Sequence, residues 1–168
     1  MIKLKDILYE IGEANVKPFN WKKTSGLDAK QFKEKEGREV SVGDTITFEF
    51  NTHKGTVYVV DIEVNSVFNS DTQKFDLGAV ECEIDFSTKD SIGIAHYRGT
   101  NKHEQYAVMS TITDIVITWV NEWDNIHYIN KITVDPIKDD GGSGVFRTSN
   151  QRGRLYHAFM KKQLHKLN

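Results

Sequence analysis

Three stretches of this 168-residue chain alternate apolar and polar residues with a period of two, and that period restricts each of them to a half-buried strand. "TITFEF" sets Ile46, Phe48 and Phe50 against Thr45, Thr47 and Glu49. "TVYVVDIEV" sets Tyr58, Val60, Ile62 and Val64 against Val57, Val59, Asp61 and Glu63, and "VECEIDF" turns Glu81, Glu83 and Asp85 outward in the same way. The intervening "NTHKG" is a hairpin turn, and "SIGIAHY", Ser91 to Tyr97, supplies a fourth strand. An antiparallel meander with one apolar and one acidic face is the expected product.

The period changes to helical on both sides of this block. Ile2 to Gly12 has apolar residues at 2, 4, 7, 8 and 11 and stops at a glycine. Asn15 to Val40 is polar and lysine-rich and reads as a connecting region, with an extended piece around Pro18 to Trp21 and a helical turn over Asp28 to Glu36. Met109, Ile112, Val116, Trp119 and Trp123 form a second helical stripe, widened by Val108, Ile115 and Val120. Its β-branched residues favour a strand, but about twenty residues without a breaker exceed a strand's length. Asn101 and Glu104 cap that helix. Ile126 to Val134 is a strand ended by Asp135-Pro136, "KDDGGSG" is a loop, and Thr148 with Gln151 caps a last helix that turns Leu155, Tyr156, Phe159, Leu164 and Leu167 inward. The fold class is therefore α+β: a mostly antiparallel sheet with the two later helices packed on one face, in the order α-β-β-β-β-α-β-α. Residues 1–168 are expected to form a single domain, with 1–41 as N-terminal helix and connecting region and 42–168 as sheet and helices.

Charge and cysteine content narrow the function classes. A lone cysteine, Cys82, excludes an internal disulfide and a multi-cysteine zinc site, and its alternating neighbours make it a buried strand residue. No apolar run is long enough to span a bilayer, and Asp6, Glu10 and Glu13 lie where a signal peptide needs an apolar core, so no membrane association and a cytoplasmic location are expected. The net charge of -2 conceals an asymmetry. Val42 to Asp90 holds ten acids against three bases, whereas Gly141 onward holds six bases (Arg147, Arg152, Arg154, Lys161, Lys162, Lys166) and no acid.

The glycine turn between the fourth strand and the long helix, "HYRGTN", resembles the [QR]-x-x-G-x-[GA] turn of the GNAT-type N-acetyltransferases. With Gly99 at the motif glycine, His96 stands at the Gln/Arg position and Asn101 at the final Gly/Ala position. The later Leu155-Tyr156 resembles that family's Leu-Tyr pair. This resemblance implies a CoA-dependent N-acyltransferase with a divergent pyrophosphate loop: Gly99, Thr100 and Asn101 would offer backbone donors to acetyl-CoA, and Tyr156 would be the general acid. Separately, "LKDILYEIG" with "KPFNW", "YAVMSTITDIV" and "RGRLYHAFMKK" resemble a group of small proteins of tailed bacteriophages. That resemblance implies a phage protein located in the host cytoplasm or the virion.

Direct signatures of catalysis are absent from the sequence. His96 and His103 flank the turn without a third metal ligand, so no metal is expected. The six histidines are followed two places on by Gly55, Arg98, Gln105, Ile129, Phe159 and Leu167, which excludes a paired His-x-Thr/Ser phosphoesterase. No G-x-S-x-G, phosphate-binding G-x-x-x-x-G-K-[ST] or G-x-G-x-x-G occurs, and "DPIKDDGG" lacks the EF-hand spacing. What remains is Glu49, Asp61, Glu63, Glu81, Glu83 and Asp85, whose shared parity tiles them on one sheet face. That face is either solvated or a docking surface for a basic protein partner. Nucleic acid is disfavoured, since the basic last helix has no aromatic residues interleaved on its polar side. A non-catalytic phage accessory protein without a cofactor is the leading expectation, and the acyltransferase is the alternative.

Overall fold

The computed structural model describes residues 17–89, 95–96 and 105–134. They form, in chain order, β1 (Trp21–Ser25), α1 (Ala29–Glu36), β2 (Gly43–Asn51), β3 (Val57–Asn69), β4 (Lys74–Lys89), β5 (Ala95–His96), α2 (Gln105–Asp124) and β6 (Tyr128–Val134). The strands make one sheet in the order β1-β2-β3-β4-β5, with β6 also hydrogen-bonded to β4. Every pairing is antiparallel except β4 with β6. An α+β fold with a mostly antiparallel sheet is thus observed.

The alternation that identified the strands also fixes their register. Ile46 faces Ile62, Phe48 faces Val60 and Phe50 faces Tyr58, while Ile62 and Val64 face Ile84 and Cys82. A slip of one residue would turn this apolar surface toward water, so the burial itself holds the register. Helix α2 covers that surface, burying Val108, Met109, Ile112, Ile115, Val116, Trp119 and Trp123 in the same core. Its β-branched residues do not prevent the helix, because the 3.6-residue stripe buries more than the propensity costs. Two of them, Thr111 and Thr113, donate their hydroxyls to the carbonyls of Ala107 and Met109 one turn back, which leaves neither hydroxyl orphaned in the interior.

Strand β4 is the hub. Its sixteen residues carry β3 on one flank. The other flank carries β6, from Ala79 opposite Tyr128 to Ile84 opposite Val134, and then β5 at Thr88 and Lys89. Helix α2 is the crossover that lets β6 return parallel to β4.

The stretch from Asn15 to Val40 is more than a connection, which corrects the reading from composition. Its edge strand β1 pairs Trp21 with Phe50, and Phe19, Ala29 and Phe32 belong to the core. The Phe19 amide donates to Thr111 Oγ1 (2.8 Å) and the Trp21 indole to Asp114 Oδ2 (2.7 Å), tying this segment to α2. The exposed Lys22 and Lys23 discourage further strand pairing at the edge. The helical turn expected at Asp28 to Glu36 is α1, whose Asp28 and Gln31 side chains each accept the other's backbone N–H. Such a capping box contributes about 1 kcal/mol.

An arm of the sheet had no counterpart in the alternation pattern. β3 continues to Asn69 and β4 starts at Lys74, with Phe68 opposite Phe75. Ser66 pairs with Val80 but Val67 with Asp76, so Leu77, Gly78 and Ala79 are extra residues, and Gly78 takes φ +87 to accommodate the bulge. The helices expected at Ile2 to Gly12 and after Thr148, the cap residues Asn101 and Glu104, and all of the expected strand Ser91 to Tyr97 but Ala95 and His96 lie outside the described residues. Of the two later helices, α2 is the one described.

Candidate functional site

The outward face of the meander gathers all six carboxylates that the sequence put on one parity. Reading across the strands, Thr47, Asp61 and Asp85 make one row, Thr45, Glu63, Glu83 and Thr133 the next, and Asn65, Glu81 and Lys131 the third. A fourth row runs Lys22, Glu49, Val59 and Ser87. Asp61 therefore sits directly opposite Asp85, and Glu63 directly opposite Glu83. Like charges in directly opposed positions cost a few tenths to about 1 kcal/mol per pair. Glu63 and Glu83, both exposed, are an unfavourable pair for folding alone.

The carboxylates differ in how far they are neutralised. Glu49 forms an ion pair with Lys89, joining β2 to β4 across the intervening strand. Val59, opposite Glu49 on β3, is only 6 % exposed although its parity points it away from the core. Sequence parity put Val59 on the polar face, and the structure adds that this end of the face is covered. Asp61 accepts the Thr47 hydroxyl at 2.6 Å, and Asp85 accepts the Phe86 amide at 2.8 Å. Glu63 accepts Asn65 Nδ2 at 3.2 Å and Glu81 accepts Asn130 Nδ2 at 3.0 Å, bonds that leave the charge in place. Glu63, Glu81 and Glu83 are exposed, whereas Glu49, Asp61 and Asp85 are half-buried. The accessible negative charge is thus concentrated on β3 and β4, toward β6.

Two further features were not legible from spacing alone. Glu36, the last residue of α1, lies 3.0 Å from His127 Nε2, with side chains 3 % and 0 % exposed. His127 continues the line of Trp119 and Trp123 at four-residue steps, and it packs against Trp123 and Phe32. The spacing was the available signal for His127; nothing in the sequence pairs it with a glutamate 91 positions away. The second feature is an open groove of about 820 Å³ at the β1 edge, lined by residues 17 to 22 together with Glu49, Phe50, Asn51, His53 and Val57.

Gly99, Thr100, Asn101 and Tyr156, the residues of the acyltransferase resemblance, lie outside the described residues. His96 is placed in β5 opposite Thr88. Cys82 is buried, which pushes its thiol up to about 12 and makes it a poor nucleophile. Among the described residues no three His, Cys, Asp or Glu side chains are grouped to hold a metal ion, and no helix is long and apolar enough to cross a membrane. No protein-family model, curated protein or solved structure matches this chain.

Proposed function

We propose that this protein is a non-catalytic binding protein whose acidic sheet face receives a basic protein partner. The observation that carries the reading is the direct opposition of the exposed Glu63 and Glu83, beside the row that holds Asp61 and Asp85. A cationic surface laid over those rows relieves the repulsion and gains the attraction, and the field of the face steers the encounter. Given the resemblance to small tailed-phage proteins, the role is that of a phage accessory protein, virion-associated or directed at a host protein.

The test uses a fluorescent fifteen-residue peptide of alternating lysine and alanine as the basic probe. Glu63→Lys with Glu83→Lys keeps a like-charge pair in the same row, so stability should change by less than about 0.5 kcal/mol. Affinity for the probe at low salt should fall at least roughly tenfold, and its dependence on ionic strength should flatten. Unchanged affinity in the doubly reversed protein would remove the face as a docking surface.

A CoA-dependent N-acyltransferase is the second reading, and the crossover from β4 through α2 to a parallel β6 favours it. The N-terminus of a crossover helix is where α/β folds meet anionic ligands. On that reading the amides of Gly99, Thr100 and Asn101 hold the pyrophosphate of acetyl-CoA and Tyr156 is the general acid. Acetyl-CoA at a hundred times its dissociation constant would then stabilise the fold by about 2.7 kcal/mol and raise the melting temperature by several degrees. The expected outcome under the first reading is no shift.

A further inference from the structure

The arm from Val67 to Leu77 runs past both neighbours of its strands, since β2 begins at Gly43 opposite Asn65 and β6 begins at Tyr128 opposite Ala79. What projects is a two-stranded ribbon, Val67 to Asn69 against Lys74 to Asp76. Such a ribbon is marginally stable in water until further strands or a packed face support it. One of its faces is aromatic: Phe68 stands opposite Phe75 with ring centres 5.2 Å apart, and it is 51 % exposed. At the base of the arm, Leu77 and Tyr128 are exposed by 68 % and 69 %. Three of the four large apolar residues exposed among the described residues therefore lie on the arm or where it leaves the sheet, a concentration that marks a contact surface.

The outer edge of the arm identifies the occupant. From Lys74 to Leu77, β4 has β3 on one side and no strand on the other among the described residues, so that edge is open to a further strand. Its charges match their own reverse. An antiparallel two-fold pairing centred on Phe75 sets Lys74 of each copy opposite Asp76 of the other, and Phe75 opposite Phe75. Because alternate residues share a face, Phe68 and Phe75 of both copies then form one row of four rings, and the two ion pairs lie on the other face. The edge strand β1 offers no such match, since a two-fold pairing there crowds Lys22 and Lys23 against the same lysines. We propose that the arm is a self-association surface, through which two copies of this chain join their β4 edges into a four-stranded ribbon about Phe75. That register brings Gln73 at the tip of one arm to Leu77 of the other, where the bulge ends regular pairing, and Tyr128, the first residue of β6, bounds the open edge. The contact is small and belongs to the weak, reversible class that buries less than about 1,200 Å². It rests on other residues than the acidic face and stands independently of it.

Sedimentation of the full chain at about 100 μM tests the proposal and should show a monomer–dimer equilibrium. Lys74→Glu or Asp76→Lys alone sets like charges opposite each other twice and should weaken the dimer at least roughly tenfold. Combining the two substitutions restores opposite pairs and should return the dissociation constant to within about threefold of its original value. Phe75→Cys lies on the two-fold axis and should form a disulfide between chains at least roughly tenfold faster than Phe68→Cys, one strand farther away. The buried Cys82 takes no part, because its thiol is pushed up to about 12. A monomer at that concentration, single reversals without effect, a combined variant as weak as either single one, or trapping through Phe68→Cys as fast as through Phe75→Cys would each overturn the proposal.

Discussion

Gly26→Ala should destabilise the protein by about 3 kcal/mol or more, while the same substitution at Gly55 or Gly78 should cost about 1 kcal/mol. All three glycines have positive φ, at +99, +81 and +87, so each substitution carries the strain of a left-handed backbone. Only Gly26 adds a collision. A Cβ there would stand 2.6 Å from the Ile46 Cα and 2.7 Å from the Thr45 carbonyl oxygen, whereas at Gly55 and Gly78 nothing lies within 4 Å. The obstacles at Gly26 are backbone atoms of β2 and cannot rotate away. Relief would require β2 to shift against β3, where Ile46 faces Ile62 at the centre of the core. Urea denaturation of the three variants measures the contrast; equal losses at all three sites would show that φ strain alone governs them.

That glycine illustrates what the sequence conveys and what it hides. "TSGLD" between an extended piece and a capped helix reads as a turn, but its close approach to β2 depends on the pairing of β1 with β2, a contact between residues more than twenty positions apart. The meander was legible because every second residue in Thr45 to Phe50, Thr56 to Val64 and Val80 to Phe86 is apolar, and a period of two admits one structure when one face is buried. The acidic face was legible for the same reason, since parity alone aligns Asp61, Glu63, Glu81, Glu83 and Asp85. Which carboxylates face each other was not, because register between strands depends on turn and bulge geometry. The segment from Asn15 to Val40 misled because its many lysines sit on the exposed sides of β1 and α1, so composition masked the few positions that enter the core, Phe19, Ala29 and Phe32. The arm from Ser66 to Ala79 was missed because its bulge breaks the alternation that identifies a strand.

Glu36 and His127 form the other element that no local pattern announces, and removing one partner should have the largest effect of any polar substitution. Glu36→Ala is expected to cost about 3 to 5 kcal/mol, which lowers the melting temperature by roughly 10 °C for a chain of this size. The pair pins the end of α1 to the start of β6, and His127 is enclosed by Phe32 and Trp123 at ring distances of 5.5 and 5.3 Å. Neither group has water to turn to if its partner is removed. Glu36 Oε1, His127 Nδ1 and the Trp119 indole nitrogen already lack a hydrogen-bond partner among the described residues, so the site begins with little capacity to satisfy a further orphan. An apolar replacement of both partners avoids that cost: Glu36→Leu with His127→Phe extends the stack of Phe32, Trp119 and Trp123 and leaves no polar atom behind at either position. The double variant should therefore be more stable than Glu36→Leu alone, with a coupling energy of about 2 kcal/mol or more from a double-mutant cycle in urea. Additive losses in that cycle would mean that the two side chains are held by their separate packing against the aromatic rings and that their mutual contact contributes nothing.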